Sequence, residues 1–289
     1  MIDAIDTDDL DESDLDESPP AVTDTRDQPL RHSVLKAIKQ SPAHARHQAL
    51  RSFDGGSLAL RLGSGCHAMT FGTPEVVQYN GKQRRGKDWD AFQADHPGAV
   101  ILNAKEYAKA KGMADSIASN EVARRVLFAP NAIREQRIDW EWNGRKWRST
   151  PDAQMFRVLA ELKTTRCSDP AVFWRDALRM SYHVQLAIYR RAIEQTTGVR
   201  PRDVYLFAVE SVPPYVVTPF ELSERSLEHG DMLAKRWHEQ FLQCEATGKW
   251  PGYTDGIEEL DVYEIEDETA IEVERAMAND DGRRAAVSF

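Results

Sequence analysis

The run Val158-Leu-Ala-Glu-Leu-Lys163 sets a carboxylate and an ammonium two positions apart inside an apolar stretch, and nothing else in the chain limits the fold as strongly. Lys163 is the only lysine in the sequence with an acid two positions before it. Read as a strand, Arg157–Thr165, the segment sends Glu161 and Lys163 to one face and turns Leu162 to the core. Pro151-Asp152 lies nine residues before Glu161, on what reads as the neighbouring strand, so a hairpin can bring Asp152 alongside. Two carboxylates and one ammonium on a single polar patch suit phosphodiester hydrolysis. The carboxylates hold a hard cation such as Mg²⁺ through oxygen. The cation lowers the pKa of water and offsets charge at phosphorus, while the lysine orients the nucleophile or stabilises the oxyanion. The competing interpretation of the same residues is an ordinary surface ion pair.

The remaining elements support an α+β fold of the α/β-sandwich kind, with a mixed central sheet flanked by helices on both sides. A short helix is expected over Ser33–Gln40 with Ser33 as its N-cap, and an apolar helix over 57–71, interrupted by Gly63 and Gly65. A basic loop, Gly81–Lys87, leads to a short helix containing Trp89 and Phe92. A strand at Ala99–Leu102 precedes helices over 104–118 and 120–128. The centre reads as a β-meander, with Ile133–Trp142 and Lys146–Phe156 joined at Asn143-Gly144, a pair that supplies positive φ readily. Ser168-Asp169-Pro170 opens one long helical stretch to Thr197. Strands at Asp203–Glu210 and Tyr215–Glu221 and a helix over Glu224–Cys244 complete the pattern.

Charge is divided along the chain. Residues 1–18 carry nine acids and no Lys or Arg, and residues 255–289 carry twelve acids and three Arg. Residues 19–254 are therefore at +8, although the whole chain is at −10. Basic cores bind polyanions, and acidic blocks are usually solvated tails. The expected organisation is an acidic disordered tail over 1–28, one domain over 29–252 and an acidic C-terminal tail over 253–289. No stretch approaches the ~20 apolar residues of a membrane helix, and the N-terminus is acidic where a signal peptide is basic. Cys66, Cys167 and Cys244 are too few and too scattered for a disulfide framework or a four-thiolate cluster. A soluble protein of the cytoplasm is expected.

His67 follows the two glycines of the 57–71 helix, and Gln185 and Tyr189 share one helix face at i, i+4. Taken in order, His67, Pro151-Asp152, Glu161-x-Lys163 and Gln185-x-x-x-Tyr189 resemble the PD-(D/E)XK nuclease superfamily, and within it the RecB-like branch. The RecE-type exonucleases of phages and prophages (exodeoxyribonuclease VIII) are the nearer likeness. Ser41-Pro-Ala-His-Ala45, Leu62-Gly-Ser-Gly-Cys-His67, Arg85-Gly-Lys-Asp-Trp89 with Phe92, Asp139-Trp140, and Gly252 after Trp250-Pro251 carry it. The likeness extends over residues 30–255.

The resemblance implies that His67, Asp152, Glu161 and the Leu162 carbonyl bind Mg²⁺ or Mn²⁺, and that Lys163 is the catalytic lysine. It implies that Gln185 and Tyr189 line the site and position the DNA backbone. Glu135 is a further acid where some relatives place one. It also implies a 5′→3′ exonuclease on linear double-stranded DNA with free ends, yielding 5′-mononucleotides and a 3′ overhang. Such an overhang would feed a single-strand annealing protein in recombination, and the enzyme would be a homo-oligomer in a bacterial cytoplasm. The motif chemistry alone equally allows an endonuclease, or a silent DNA-binding or partner-docking protein that keeps the fold.

Gly81-Lys-Gln-Arg-Arg-Gly86-Lys87 has the spelling of a phosphate loop but continues with Asp88, which sets a negative charge where Ser or Thr belongs. Lys82, Arg84, Arg85 and Lys87 are read instead as phosphate contacts for DNA. The seven tryptophans are expected mostly to pack; one could wedge between terminal base pairs, but the sequence does not select it.

Overall fold

The computed structural model describes residues 24–51, 57–81, 83–254 and 256. Two compact units divide the chain at Trp250/Pro251, and the first of them carries the features that follow. Lys82 and nearly all of both acidic tails lie outside the described residues.

Three short helical segments open the fold, α1 (His32–Lys36), α2 (Pro42–Leu50) and α3 (Leu58–Phe71). Then come β1 (Val76–Gln78), α4 (Lys87–Asp95), β2 (Val100–Leu102), α5 (Ala104–Ser119) and α6 (Glu121–Leu127). The centre holds β3 (Ile133–Arg134), β4 (Ile138–Trp142), β5 (Arg145–Ser149), β6 (Ala153–Met155) and β7 (Val158–Thr165). The last elements are α7 (Pro170–Met180), α8 (Tyr182–Thr197), β8 (Asp203–Glu210), β9 (Val217–Glu221) and α9 (Glu224–Thr247).

The main sheet has the order β3-β6-β7-β8-β9. Within this sheet only β7 and β8 run parallel, and α7 and α8 make the crossover that a parallel pair requires. The result is the expected α+β class, a mixed sheet between helical layers. Alternation along β7 sorts its side chains. Ala160 and Leu162 join Cys66 of α3 and Met113 of α5 on one side. Leu159 joins Val184 and Ile188 of α8 on the other. Glu161 and Lys163 share the Leu159 face, which α8 covers, so this charged pair lies under a helix rather than on an open surface.

Five local expectations need correcting. Lys146–Phe156 is two strands, with β5 ending at Ser149 and β6 beginning at Ala153 in a different sheet. Ile133–Trp142 is not one strand: Glu135 takes φ 47°, and the kink leaves β3 in the main sheet while β4 pairs only with β5. The β4–β5 turn at Asn143-Gly144 has φ 48° and 76°, which favours the right-handed twist of a tight hairpin. Its Trp140, Trp142 and Trp147 cluster around His238 of α9, with ring centroids from Trp142 to His238 4.3 Å apart. The long helix after Pro170 breaks at Ser181, which adopts φ 59° and lets α7 and α8 diverge. Ser33 caps nothing: α1 begins at His32, and it is Ser41 that accepts the His44 N–H to start α2. The glycines do not interrupt α3. At Gly65 a Cβ would come within 2.6 Å of Leu102, so glycine there permits close packing of a continuous helix on β2.

Candidate active site

Asp152 stands one residue before β6, and the β6–β7 register of Ala153 opposite Ala160 carries it to the side of Glu161. Its carboxylate is fastened by the backbone: Oδ2 accepts the Leu162 N–H at 2.6 Å. The Asp152 N–H in turn donates to Glu161 Oε2 at 3.5 Å. Lys163 Nζ donates to Glu161 Oε1 at 2.6 Å, and Gln185 Nε2 donates to the same oxygen at 2.9 Å. Gln185 also donates to the Tyr189 hydroxyl at 3.0 Å, so both helix residues belong to the group. From the opposite layer α3 sends His67, whose Nδ1 is 3.4 Å from Asp152 Oδ1. The six side chains His67, Asp152, Glu161, Lys163, Gln185 and Tyr189 thus form one connected set.

Two residues enter this set from outside the motif. Glu135 donates its backbone N–H to the Asp152 carbonyl at 3.1 Å, and its Oε2 accepts the Thr73 hydroxyl at 2.9 Å. One ligand atom each from His67, Glu135 and Asp152 lies within 4.8 Å of the others. Among the described residues this is the one such cluster of three metal-ligating side chains. Glu135 reaches it because of the same positive-φ kink that ends β3. Tyr182, at the start of α8, sets its ring 5.2 Å from Lys163 Nζ. Neither the kink nor the helix break is marked in the sequence, and both position these residues.

The electrostatics show a pocket short of positive charge. Burial, followed by the negative charge of Asp152, pushes the Glu161 carboxyl up to about 7 despite Lys163. For Asp152 burial acts upward as well, but the nearby His67 charge and hydrogen bond outweigh it and hold the carboxyl below its ordinary value. Burial alone would lower Lys163; Glu161 and then Asp152 overcome it and keep the ammonium charged well beyond neutral pH. Burial raises the Tyr189 phenol, and the Glu161 charge raises it further. Two or three carboxylates beside one imidazole and one ammonium make a donor set that suits a hard divalent cation.

The basic loop is less uniform than its spelling. Arg84 is committed inward: its guanidinium pairs with the buried Glu106, donates to the Ile101 carbonyl at 3.2 Å and lies 5.9 Å over Trp89. Its charge is thus shared with Glu106, which also pairs with Arg61 at 3.2 Å, and a quarter of the Arg84 side chain is exposed. Arg85 and Lys87 are exposed, and Lys82 lies outside the described residues.

A parallel strand pair crossed over by helices, with an acid before one strand and E-x-K on the next, defines a PD-(D/E)XK-type core. The chain belongs to the family described as PDDEXK-like domain of unknown function (DUF3799), whose model matches residues 31–262. Among proteins of curated function none matches the sequence. Among solved structures it is similar to a proposed exonuclease from Eubacterium rectale, at 15% identity and TM-score 0.57, over 82% of this chain and 92% of that one. Fainter likenesses are an alkaline exonuclease from Laribacter hongkongensis (13% identity, TM-score 0.30, 66% and 93% covered) and a phage-related exonuclease from Haemophilus somnus (11%, 0.30, 62% and 94%). At those scores the last two carry no weight. No helix among the described residues is long and apolar enough to cross a membrane.

Proposed function

We propose that the chain is a divalent-metal-dependent deoxyribonuclease that hydrolyses phosphodiesters of linear double-stranded DNA from its ends. The observation that carries this is the single connected cluster of Asp152, Glu161 and Lys163, with His67 against Asp152. His67 and Asp152, with Glu135 or Glu161 and the Leu162 carbonyl, would hold Mg²⁺ or Mn²⁺. Such an ion, when bound, supplies a more acidic water and offsets charge on the phosphate. The protein's own residues supply the rest. Lys163, kept cationic by Glu161, offsets charge on the reacting phosphate and orients the attacking water. Gln185 fixes the Glu161 rotamer through Oε1 and links it to Tyr189, whose hydroxyl faces the DNA backbone. The Leu162 N–H holds Asp152 in place, so its free oxygen stays directed at His67. The finer character, 5′→3′ polarity with release of 5′-mononucleotides, a 3′ overhang for an annealing protein and a ring-shaped homo-oligomer, rests on the likeness to RecE-type exonucleases.

The test incubates the full chain with linear and closed-circular duplex DNA, with Mg²⁺ or EDTA, beside Lys163→Ala. Magnesium-dependent loss of linear DNA alone, abolished in the variant, is the expected result. Cutting of the circle would make the protein an endonuclease. Binding with no cutting would make it a silent DNA-binding protein.

A further inference from the structure

Of the seven tryptophans, Trp174 is the exposed one: it is 54% accessible, whereas Trp140, Trp142, Trp147 and Trp237 are buried and Trp89 and Trp250 half-buried. It lies on α7, one turn before Leu178, itself 50% accessible, so the two make an apolar stripe. Arg175 and Arg179 form a parallel stripe at the same spacing, and the Arg175 guanidinium lies 5.5 Å over the Trp174 ring. Beside them a cavity of about 350 Å³ is bordered by Trp174, Leu178, Arg175, Arg179 and Lys39. Lys39 Nζ donates to the Arg179 carbonyl at 3.2 Å and to Ser181 Oγ at 3.3 Å, which ties the end of α7 to the first helical layer. One helical turn before Lys39, on α1, is Lys36. Burial, then the charges of Lys163, Lys39 and Arg179, depress its ammonium. Asp176 pairs with Arg179 at 3.1 Å on the surface, and Glu161 pairs with Lys163, which leaves Arg175 and Lys39 without a carboxylate in this group. Ser181 precedes Tyr182, whose ring lies 5.2 Å from Lys163 Nζ, so the Lys39 end of the cavity adjoins the active site.

An apolar groove alone would fit many partners, but Arg175, Arg179 and Lys39 on its border fit a polyanion that also carries flat rings. We propose that Trp174, with Leu178, Arg175, Arg179, Lys39 and Lys36, forms a track for single-stranded DNA next to the active site. A base stacks on the indole, and phosphates follow the cations. The track deepens the deoxyribonuclease assignment and rests on it: an enzyme that opens a duplex end must lead an unpaired strand to or from Lys163.

The test measures binding of a fluorescein-labelled oligothymidylate of about 20 nucleotides by the full chain in EDTA, where no cutting occurs. Trp174→Ala is expected to weaken binding about tenfold, the scale of one stacked base. Trp174→Phe retains most of the affinity but loses the quenching of tryptophan emission that the oligonucleotide causes in the wild type. Lys36→Gln with Lys39→Gln lowers the slope of log affinity against log salt by about 1. The circular dichroism and melting temperature of Trp174→Ala should match the wild type, because the side chain is exposed. Unchanged oligothymidylate binding in Trp174→Ala overturns the track, as does a variant that changes only the solution mass, which would make the stripe a contact between copies. A protein that binds the oligonucleotide through Trp174 yet cuts no DNA would keep the track and remove the nuclease assignment. Normal cutting with no role for Trp174 in binding would do the reverse.

Discussion

Two glutamates are buried to nearly the same degree, Glu106 at 4% and Glu161 at 3% accessibility, and they live in opposite electrostatic circumstances. Glu106 caps α5 by accepting the Asn103 N–H at 2.9 Å and meets two guanidinium groups, those of Arg61 and Arg84. Burial pushes its carboxyl up, but hydrogen bonds from Arg84 and the backbone prevail and leave it below its ordinary value. Glu161 has one ammonium and one amide, and it faces a second carboxylate. It is pushed up to about 7. A buried acid outnumbered by cations is a fastening. A buried acid beside another acid is incomplete until a cation arrives, and that imbalance separates a chemical site from a structural ion pair.

The largest effect should fall on chemistry alone. Lys163→Ala or Asp152→Asn is expected to reduce magnesium-dependent DNA hydrolysis by about 10³-fold, or roughly 4 kcal/mol of barrier. Melting temperature should stay within a few degrees, and a matching collapse in stability would dissolve the contrast. Glu106→Ala should act the other way. It leaves Arg61 and Arg84, with 30% and 25% of their side chains exposed, without their shared carboxylate and lowers the unfolding free energy by about 2 kcal/mol in urea titrations, with turnover of the folded fraction retained.

A smaller effect separates the two glutamates by pH. The folded Glu161 keeps its proton to about 7, whereas the unfolded chain releases it near 4.5. Stability from this group is therefore full below about 4.5 and declines as pH rises to about 7. In EDTA, the wild type should lose about 3 kcal/mol relative to Glu161→Gln between pH 4.5 and 7.5. Saturating Mg²⁺ should restore it, since an ion that binds only the folded state stabilises by mass action. A pH-independent difference between the two proteins would show that the carboxylates are not in conflict.

The same contrast recurs, more weakly, between two histidines. Burial lowers His67, but Asp152 outweighs it and raises the imidazole, whereas burial among tryptophans lowers His238 to about 4. The unfolded chain takes up a proton on His238 near 6.5 and the folded chain does not, so this group's contribution falls as pH drops from about 6.5 toward 4. His238→Gln should reduce the stability difference between pH 7.5 and pH 5 by about 1 kcal/mol in thermal melts, and an unchanged difference would mean that His238 is charged in the fold.

Much of the candidate site was legible because it is written in local spacing. Strand period two puts Glu161 and Lys163 on one face, a hairpin of nine residues brings Asp152 across, and helical period four aligns Gln185 with Tyr189. What escaped was backbone conformation without a residue signature. Nothing about Glu135 or Ser181 announces positive φ, yet one kink turns an acid into the pocket and the other divides a helix. The inward pairing of Arg84 escaped for a related reason: a basic loop looks the same whether its guanidinium faces solvent or a buried glutamate 22 residues away.

By itself the sequence determined most of the elements and their order, the acid and lysine that must share a face, and the separation of charge between the ends and the middle. These follow from short-range periodicity and composition, which act within a few residues. Tertiary structure alone decided that the charged face of β7 lies beneath α8, that His67 arrives from the opposite layer, and that Trp174, of seven, remains outside. Those outcomes depend on which surfaces meet across the sheet. Burial and charge pairing are properties of the packed molecule, and no local pattern contains them.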